Sequence, residues 1–223
     1  MQLIIGNKNY SSWSMRPWVL MKQLGIAFQE RKLRFDFSEG SAFRQAVARH
    51  SPAGKVPVLL DGELAVWDTL AITEYLAEKH PGVWPADRLA RARARSLVCE
   101  MHSGFSALRN HCPMNIEAAL PEVGARIWSE QPQVRGDVQR IESAWAQALD
   151  SSGGPFLFGE FGIADAFYAP VCARIRGYAL PVNGATHAYV ERVFALGGMQ
   201  AWLADALAEH DFIEEDEPYR PRP

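Results

Sequence analysis

Cysteine is scarce in this chain of 223 residues: the three present, Cys99, Cys112 and Cys172, are odd in number and form no Cys-x-x-Cys pair. They offer no basis for a disulfide framework, a zinc site or a dithiol redox centre, and they fit a reducing compartment. Positive charge is not in surplus either. A formal net charge of -3 argues against a nucleic-acid binder, because phosphate recognition needs an excess of Lys and Arg. The one basic run, Arg88, Arg91, Arg93 and Arg95, would spread around a helix axis as a solvated face or an interdomain contact. Also lacking is any apolar stretch approaching the ~18 residues needed to cross a bilayer, and the N-terminus carries no charged region followed by an apolar run and a cleavage site. The expected location is the cytoplasm, away from membranes, and no metal is expected.

What is present is a hydrophobic fraction of 48%, enough for a sizeable core, distributed in two different rhythms. Over residues 1–80 strand-like and helix-like patterns alternate, the mark of a mixed α/β unit. Residues 2–6 read as a short apolar strand and 17–24 as a helix ended by Gly25, while Leu33, Phe35 and Phe37 alternate as in a half-buried strand. A helix over 42–50 follows, then a hairpin of 56–60 and 64–67 about the turn dipeptide Asp61-Gly62, then a helix over 69–79. The breakers His80-Pro81-Gly82 and Pro85 mark a linker over 81–88. From residue 89 to 223 helical runs dominate, over 89–110, 135–149, 164–176 and 199–209, which predicts an all-helical second domain. The charged, proline-rich tail over 214–223 reads as a solvated extension.

Three segments could carry chemistry. Tyr10-Ser11-Ser12-Trp13-Ser14-Met15-Arg16-Pro17 joins the first strand to the first helix, and Pro17, tolerated best in a first turn, predicts a helix start near Ser14 to Arg16 with Ser14 as the cap. Ser11 and Ser12 then sit just ahead of the positive end of the helix dipole. They can be plain caps and turn formers, or they can stabilise an anion. Lowering a thiol pKa from about 8.5 by two units takes roughly 2.7 kcal/mol, which one hydroxyl hydrogen bond to a charged acceptor, at about 1.5 to 3, can meet with help from the dipole. In Lys55-Val56-Pro57, Pro57 cannot donate to a sheet, and a bend there, for which a cis bond is one route, would leave the N–H and C=O of Val56 free for an extended peptide. Asp68 and Thr69 are both N-cap types at the start of a helix, fit for capping or for receiving a carboxylate.

Taken together, the Ser-Ser-x-Ser-x-Arg loop, the Lys-Val-Pro turn and the run Asp68-Thr69-Leu70-Ala71-Ile72 resemble the glutathione S-transferase family, and Leu157-Phe158-Gly159 through Asp165 resembles the capping segment of its buried helix. The resemblance is nearest to the zeta class and related bacterial enzymes, whose Ser-Ser-Cys-x-Trp-Arg motif aligns with residues 11–16. It implies a thioredoxin-like domain followed by a helical one, in a homodimer, with glutathione as co-substrate. By that alignment Ser11 takes the place of the catalytic serine. Counting back from the arginine, as in the theta and delta classes, favours Ser12, and Tyr10 is a third candidate. Val56, with Lys55 and Pro57, would pair with the cysteinyl part of glutathione, and Asp68 and Thr69 would hold its γ-glutamyl end. Arg16 and Asn110 are further glutathione contacts. Tyr10 and Trp13, with His102, Phe105, Ser106 and Arg109 along one helix face, are expected to line a pocket for a second substrate.

Two departures stand out. Trp13 occupies the cysteine position of the zeta motif, which removes the thiol from the loop and counts against maleylacetoacetate isomerase activity. Gly162 stands where the capping box has Ser or Thr, with Asp165 retained in a structural role. The implied activity is addition or conjugation of the glutathione thiolate to an electrophilic, largely apolar small molecule, as in detoxification. The competing readings are a non-catalytic binding or interaction protein on the same fold and a glutathione-dependent isomerase.

Overall fold

Strand β1 (Gln2–Ile5) is almost wholly apolar, and its Leu3, Ile4 and Ile5 are completely buried, as a strand covered on both faces must be. The computed structural model, which describes residues 1–222, sets β1 inside a four-stranded sheet. β2 (Gln29–Lys32) lies parallel to it, with Gln2 opposite Gln29, and β3 (Val58–Asp61) lies antiparallel on the other side, with Ile4 opposite Val58. β4 (Leu64–Trp67) pairs antiparallel with β3, so the order is β2-β1-β3-β4. Gly62 turns this hairpin at φ +61°, a backbone conformation that costs glycine nothing. Helices α1 (Ser12–Gln23), α2 (Ala42–Ala48) and α3 (Thr69–Ala77) complete the order β-α-β-α-β-β-α expected from the sequence.

Seven helices follow: α4 (Arg88–Ser103), α5 (Ser106–His111), α6 (Pro121–Glu130), α7 (Pro132–Ser152), α8 (Ile163–Gly177), α9 (Gly184–Phe194) and α10 (Gly197–Leu207). The hub is α8. All its residues from 163 to 175 are buried, which is how a helix apolar on every side behaves, and it packs against both α1 and α4. The buried carboxylate of Asp165 fixes its start, accepting the N–H groups of Leu157 and Gly162, each at 3.1 Å, and the Tyr189 hydroxyl at 2.7 Å. The glycine at the cap position has a steric reason: a Cβ on Gly162 would come within 3.1 Å of the Val83 carbonyl, closer than a serine or threonine there would find comfortable.

The structure revises several expectations. The alternation at Leu33, Phe35 and Phe37 does not form a strand; β2 lies earlier, and its four residues are exposed. The Leu33 N–H still reaches the Ile5 carbonyl at 2.8 Å, but β1 has ended, and the Phe35 N–H turns to the Asn7 side-chain oxygen at 2.7 Å. Phe35, Phe37 and Phe43 cluster instead, with ring centroids 5.2, 5.3 and 6.0 Å apart. Helix α1 begins at Ser12, so Ser14 lies within it and Pro17 sits in its second turn. Pro17 has no N–H for the Trp13 carbonyl, and the Thr69 hydroxyl donates to that carbonyl at 3.1 Å. This substitute bond makes an interior proline tolerable.

The single helix expected over 89–110 is two helices. Gly104 is extended and Phe105 left-handed at φ +54°, and the α5 start is met by Asp137, which accepts the Leu108 N–H at 2.9 Å. Helices α6 and α9 lie outside the helical runs that the sequence pattern predicts. Nor is the C-terminal tail a solvated extension: Ile213 and Glu217 are buried, and the Glu217 carboxylate lies 2.6 Å from the Tyr10 hydroxyl and 2.8 Å from Asn115 Nδ2. In the basic run, Arg95 pairs with Glu74 of α3 at 3.4 Å, an interdomain contact as expected. Among the described residues no helix is long and apolar enough to cross a membrane.

Candidate active site

Because β3 begins only at Val58, Val56 precedes the sheet, and its bond to Pro57 is cis. The backbone N–H and C=O of Val56 make no hydrogen bond among the described residues. Val56 and Lys55 form one wall of an open cleft of about 820 Å³, whose floor is the loop Tyr10-Ser11-Ser12-Trp13 at the start of α1. Phe35, Phe37 and Phe43 give it an apolar flank, and Arg109, Asn110, Met114 and Arg174 contribute from the helical half.

The two candidate serines differ in what surrounds them. Ser11 is buried, and its Oγ lies 2.7 Å from Ser14 Oγ, which also accepts the Gly6 N–H at 3.2 Å. Ser12, the first residue of α1, is half-buried and lines the cleft, and its hydroxyl has no partner among the described residues. Its backbone is nonetheless held: the N–H donates to the Tyr10 carbonyl at 2.8 Å, and the carbonyl accepts Arg16 Nη1 at 2.7 Å. No side chain caps α1, so the N-terminal dipole acts on whatever occupies the cleft. The Tyr10 phenol is already engaged by Glu217 and by the Asp211 carbonyl at 2.9 Å, and burial together with the Glu217 hydrogen bond pushes it up to about 12.

Buried cations are handled in two contrasting ways. Lys8 is paired with Glu30 and Asp205 and lies over the Trp18 ring at 4.3 Å, the compensation a buried charge normally requires. Arg16, Arg109 and Arg174 have no carboxylate partner among the described residues. Arg16 is completely buried beneath the loop, with Nε on the Phe167 carbonyl at 3.1 Å and Nη2 unpartnered. The Trp13 ring lies between the guanidinium groups of Arg16, at 4.2 Å, and Arg109, at 4.7 Å. Among the described residues Arg174 bonds to carbonyls, those of Cys112 at 2.8 Å and Pro170 at 3.3 Å. Burial, then its guanidinium neighbours, holds Arg16 well below the usual arginine range, and burial with Arg109 brings Arg174 down to about 10. Three guanidinium groups without a paired carboxylate among the described residues thus stand beside the loop, and their charge favours an anion placed there.

Of the residues singled out from the sequence, Tyr10, Ser11, Ser12, Trp13, Lys55, Val56, Arg109 and Asn110 line the cleft. Pro57 is buried behind Val56, and Arg16 supports the loop from below. Phe105 and Ser106 are not brought to the cleft: Phe105, left-handed at the start of α5, joins the core against Tyr168, and Ser106 is exposed. His102 stays on α4, edge-on to Trp13 at 5.1 Å, with Nε2 3.3 Å from Asp68 Oδ2. Asp68 caps α3 by accepting the Leu70 N–H at 2.8 Å, and Thr69 is buried by its bond to Trp13. Sequence reasoning missed Phe35, Phe37, Phe43, Arg44, Met114, Arg174 and Asp216 as lining residues. A detectable signal existed only for Arg174, a charge set among the apolar residues of α8.

A sheet of this order, followed by an all-helical unit built on a buried central helix, with a cleft at the α1 N-terminus, defines a two-domain protein with a thioredoxin-like first half. Known families agree. The family model for the glutathione S-transferase N-terminal domain matches residues 10–79, and that for the C-terminal domain matches residues 115–210. The chain belongs to the glutathione S-transferase family. It is 29% identical to glutathione S-transferase 1 of Dianthus caryophyllus, over 81% of this chain and 80% of that one. It is 27% identical to a zeta-class glutathione S-transferase of Euphorbia esula, over 72% and 70% of the two chains. Among solved structures, a glutathione transferase homolog from Burkholderia with bound glutathione superposes with a TM-score of 0.68 at 24% identity, covering 94% of this chain and 98% of that one, a likeness of fold.

Proposed function

We propose that this chain is a serine-type glutathione transferase, acting in the cytoplasm as a homodimer, with residues 1–80 as the glutathione-binding domain and residues 89–223 as the domain that completes the second-substrate pocket. The observation that carries the reading is the unpartnered Ser12 hydroxyl at the uncapped start of α1, inside a cleft that also exposes the free backbone of Val56. Glutathione is an extended peptide, and Val56 offers it strand-like pairing that directs its thiol toward Ser12. Asp68 and Thr69, at the start of α3, hold the γ-glutamyl end, and Lys55 holds a carboxylate. The Ser12 hydroxyl then donates to the sulfur, and the dipole of α1 and the guanidinium groups of Arg16, Arg109 and Arg174 lower the energy of the thiolate.

The thiolate attacks an electrophilic carbon held against Phe35, Phe37, Phe43 and Met114. Because cationic side chains outnumber carboxylates in the lining of the cleft, four to one, an electrophile that pairs an apolar body with an acidic group fits better than a wholly apolar one. Calorimetry with glutathione, followed by turnover of an aryl chloride, tests the reading. Binding at millimolar concentration or better and a turnover lost in the Ser11→Ala/Ser12→Ala double variant are expected. Binding without turnover would leave a non-catalytic relative, and no binding would remove the proposal.

A further inference from the structure

Asp216 is the one carboxylate among the described residues that line the cleft, where four cationic side chains, Arg44, Lys55, Arg109 and Arg174, also lie. It ends the short 3₁₀ turn Glu214–Asp216, and its side chain makes no hydrogen bond or ion pair among the described residues. The next residue is anchored firmly. Glu217 is buried, with its carboxylate 2.6 Å from the Tyr10 hydroxyl and 2.8 Å from Asn115 Nδ2, and with Arg220 Nε donating to it at 2.9 Å. Tyr10 directly precedes the two serines, so the tail that carries Asp216 is tied to the loop that carries Ser12. Burial, with the neighbouring charges of Glu215 and Glu217, pushes the Asp216 carboxyl up to about 6, within reach of protonation near neutrality.

We propose that Asp216 is the proton donor of the second-substrate half of the cleft, for reactions in which the glutathione thiolate adds to a carbon–carbon double bond conjugated to a carbonyl. The assignment rests on the transferase reading above. In such an addition the sulfur forms a bond to the β-carbon, and the π pair moves to give an enolate. The Asp216 O–H bond breaks as its proton passes to that enolate. The carboxylate then takes a proton from water, balancing the proton that the thiol released to solvent on ionising. Substitution on an aryl chloride expels chloride and needs no such proton, so the two reactions separate this role from simple support of the cleft.

The test compares kcat/KM for an α,β-unsaturated ketone with kcat/KM for an aryl chloride, at equal glutathione, in the full-length protein and in Asp216→Asn and Asp216→Glu. A positioned general acid contributes about a hundredfold or more, so the ketone-to-chloride ratio is expected to fall about a hundredfold in Asp216→Asn and to recover in large part in Asp216→Glu. Partial rescue of Asp216→Asn by added acetate, confined to the ketone, is a further expected result. An unchanged ratio, whether both activities fall together or neither falls, overturns the assignment and leaves the transferase reading standing. A wild-type protein that turns over neither substrate overturns the transferase reading, and the assignment with it.

Discussion

Replacing Ser12 by alanine should raise the pKa of bound glutathione by about one unit while leaving the fold nearly untouched, and the opposite pairing should hold for Ser11. A hydrogen bond from a neutral hydroxyl to a charged acceptor contributes about 1.5 to 3 kcal/mol, and each pKa unit corresponds to about 1.4 kcal/mol, so full loss corresponds to about one to two units. Ser12 is only half-buried. Water can replace part of the lost bond, which places the expected shift near the lower figure. Since the Ser12 hydroxyl has no partner among the described residues, its removal should cost stability less than about 0.5 kcal/mol. Ser11 is buried against Ser14 at 2.7 Å, so Ser11→Ala should cost about 1 kcal/mol of stability and leave the thiol alone.

Two measurements decide the matter: titration of the thiolate ultraviolet absorbance of the bound peptide, which reads the pKa directly, and urea denaturation of the free protein, which reads stability. The reasoning is refuted if Ser11→Ala moves the thiol pKa by a unit or more while Ser12→Ala does not. In that case the 2.7 Å contact between Ser11 and Ser14 would have to open on binding.

Thr69→Val strands the Trp13 carbonyl that Pro17 cannot serve, and should cost about 1 kcal/mol in urea denaturation; in Pro17→Ala/Thr69→Val the restored N–H should recover much of that loss, and strict additivity would count against the compensation. Tyr10→Phe should cost about 1 to 2 kcal/mol by removing the buried bond to Glu217, yet the thiol pKa should stay put; a rise of a unit would restore Tyr10 as the activating hydroxyl. Asp165 has a pH signature. Burial raises its carboxyl to about 6, against the N–H groups and the Tyr189 hydroxyl that favour its charged form, whereas its ordinary value is 3.8. Between those values the folded state binds the proton that the unfolded state has released, so this contribution is full below about 3.8 and is lost as pH rises through about 6. The stability of wild type relative to Asp165→Asn should therefore decline from pH 4 to 6.5, and a relative gain over that range would mean that the donors outweigh burial.

Where local chemistry and chain pattern agreed, the sequence was legible. The β1 run stands where it was expected, and the hairpin is present with its turn one residue on, at Gly62-Glu63, because Asp61 still pairs with Leu64. Legibility failed where a distant group changed what a residue could do. Pro17 argues for a helix start at Ser14 until the Thr69 hydroxyl, from α3, supplies the missing bond to Trp13 and lets α1 begin at Ser12. Leu33, Phe35 and Phe37 alternate like a strand, but β1 has no carbonyl left to pair with, and a side-chain amide takes the Phe35 N–H. For α6 and α9 the local signals were there to be read, Pro121 at the first turn of one and Asn183 accepting the Thr186 N–H at the other.

The candidate site divides in the same way. Its loop and turn, from Tyr10 to Trp13 with Lys55 and Val56, are contiguous motifs, legible through the family resemblance they carry together. The opposite wall is assembled from α5, α8 and the tail, whose residues are far apart in sequence and meet only when packed. Asp216 in particular gives no sign of itself in a run of Glu and Asp. It is carried into the cleft by Glu217, one residue on, which is buried against Tyr10 at the mouth of the first helix. A tail that is charged in composition is thus tied to the loop by a buried carboxylate, alongside Ile213 in a small apolar cluster and the Tyr219 hydroxyl on the His111 carbonyl at 2.8 Å. Removing that carboxylate, by Glu217→Leu, should expose the tail to limited proteolysis while the cores of the sheet and of α8 keep their protection. If the tail instead remained resistant, its order would have to come from Ile213 and Tyr219, and the tie between Asp216 and the serine loop would lose its physical basis.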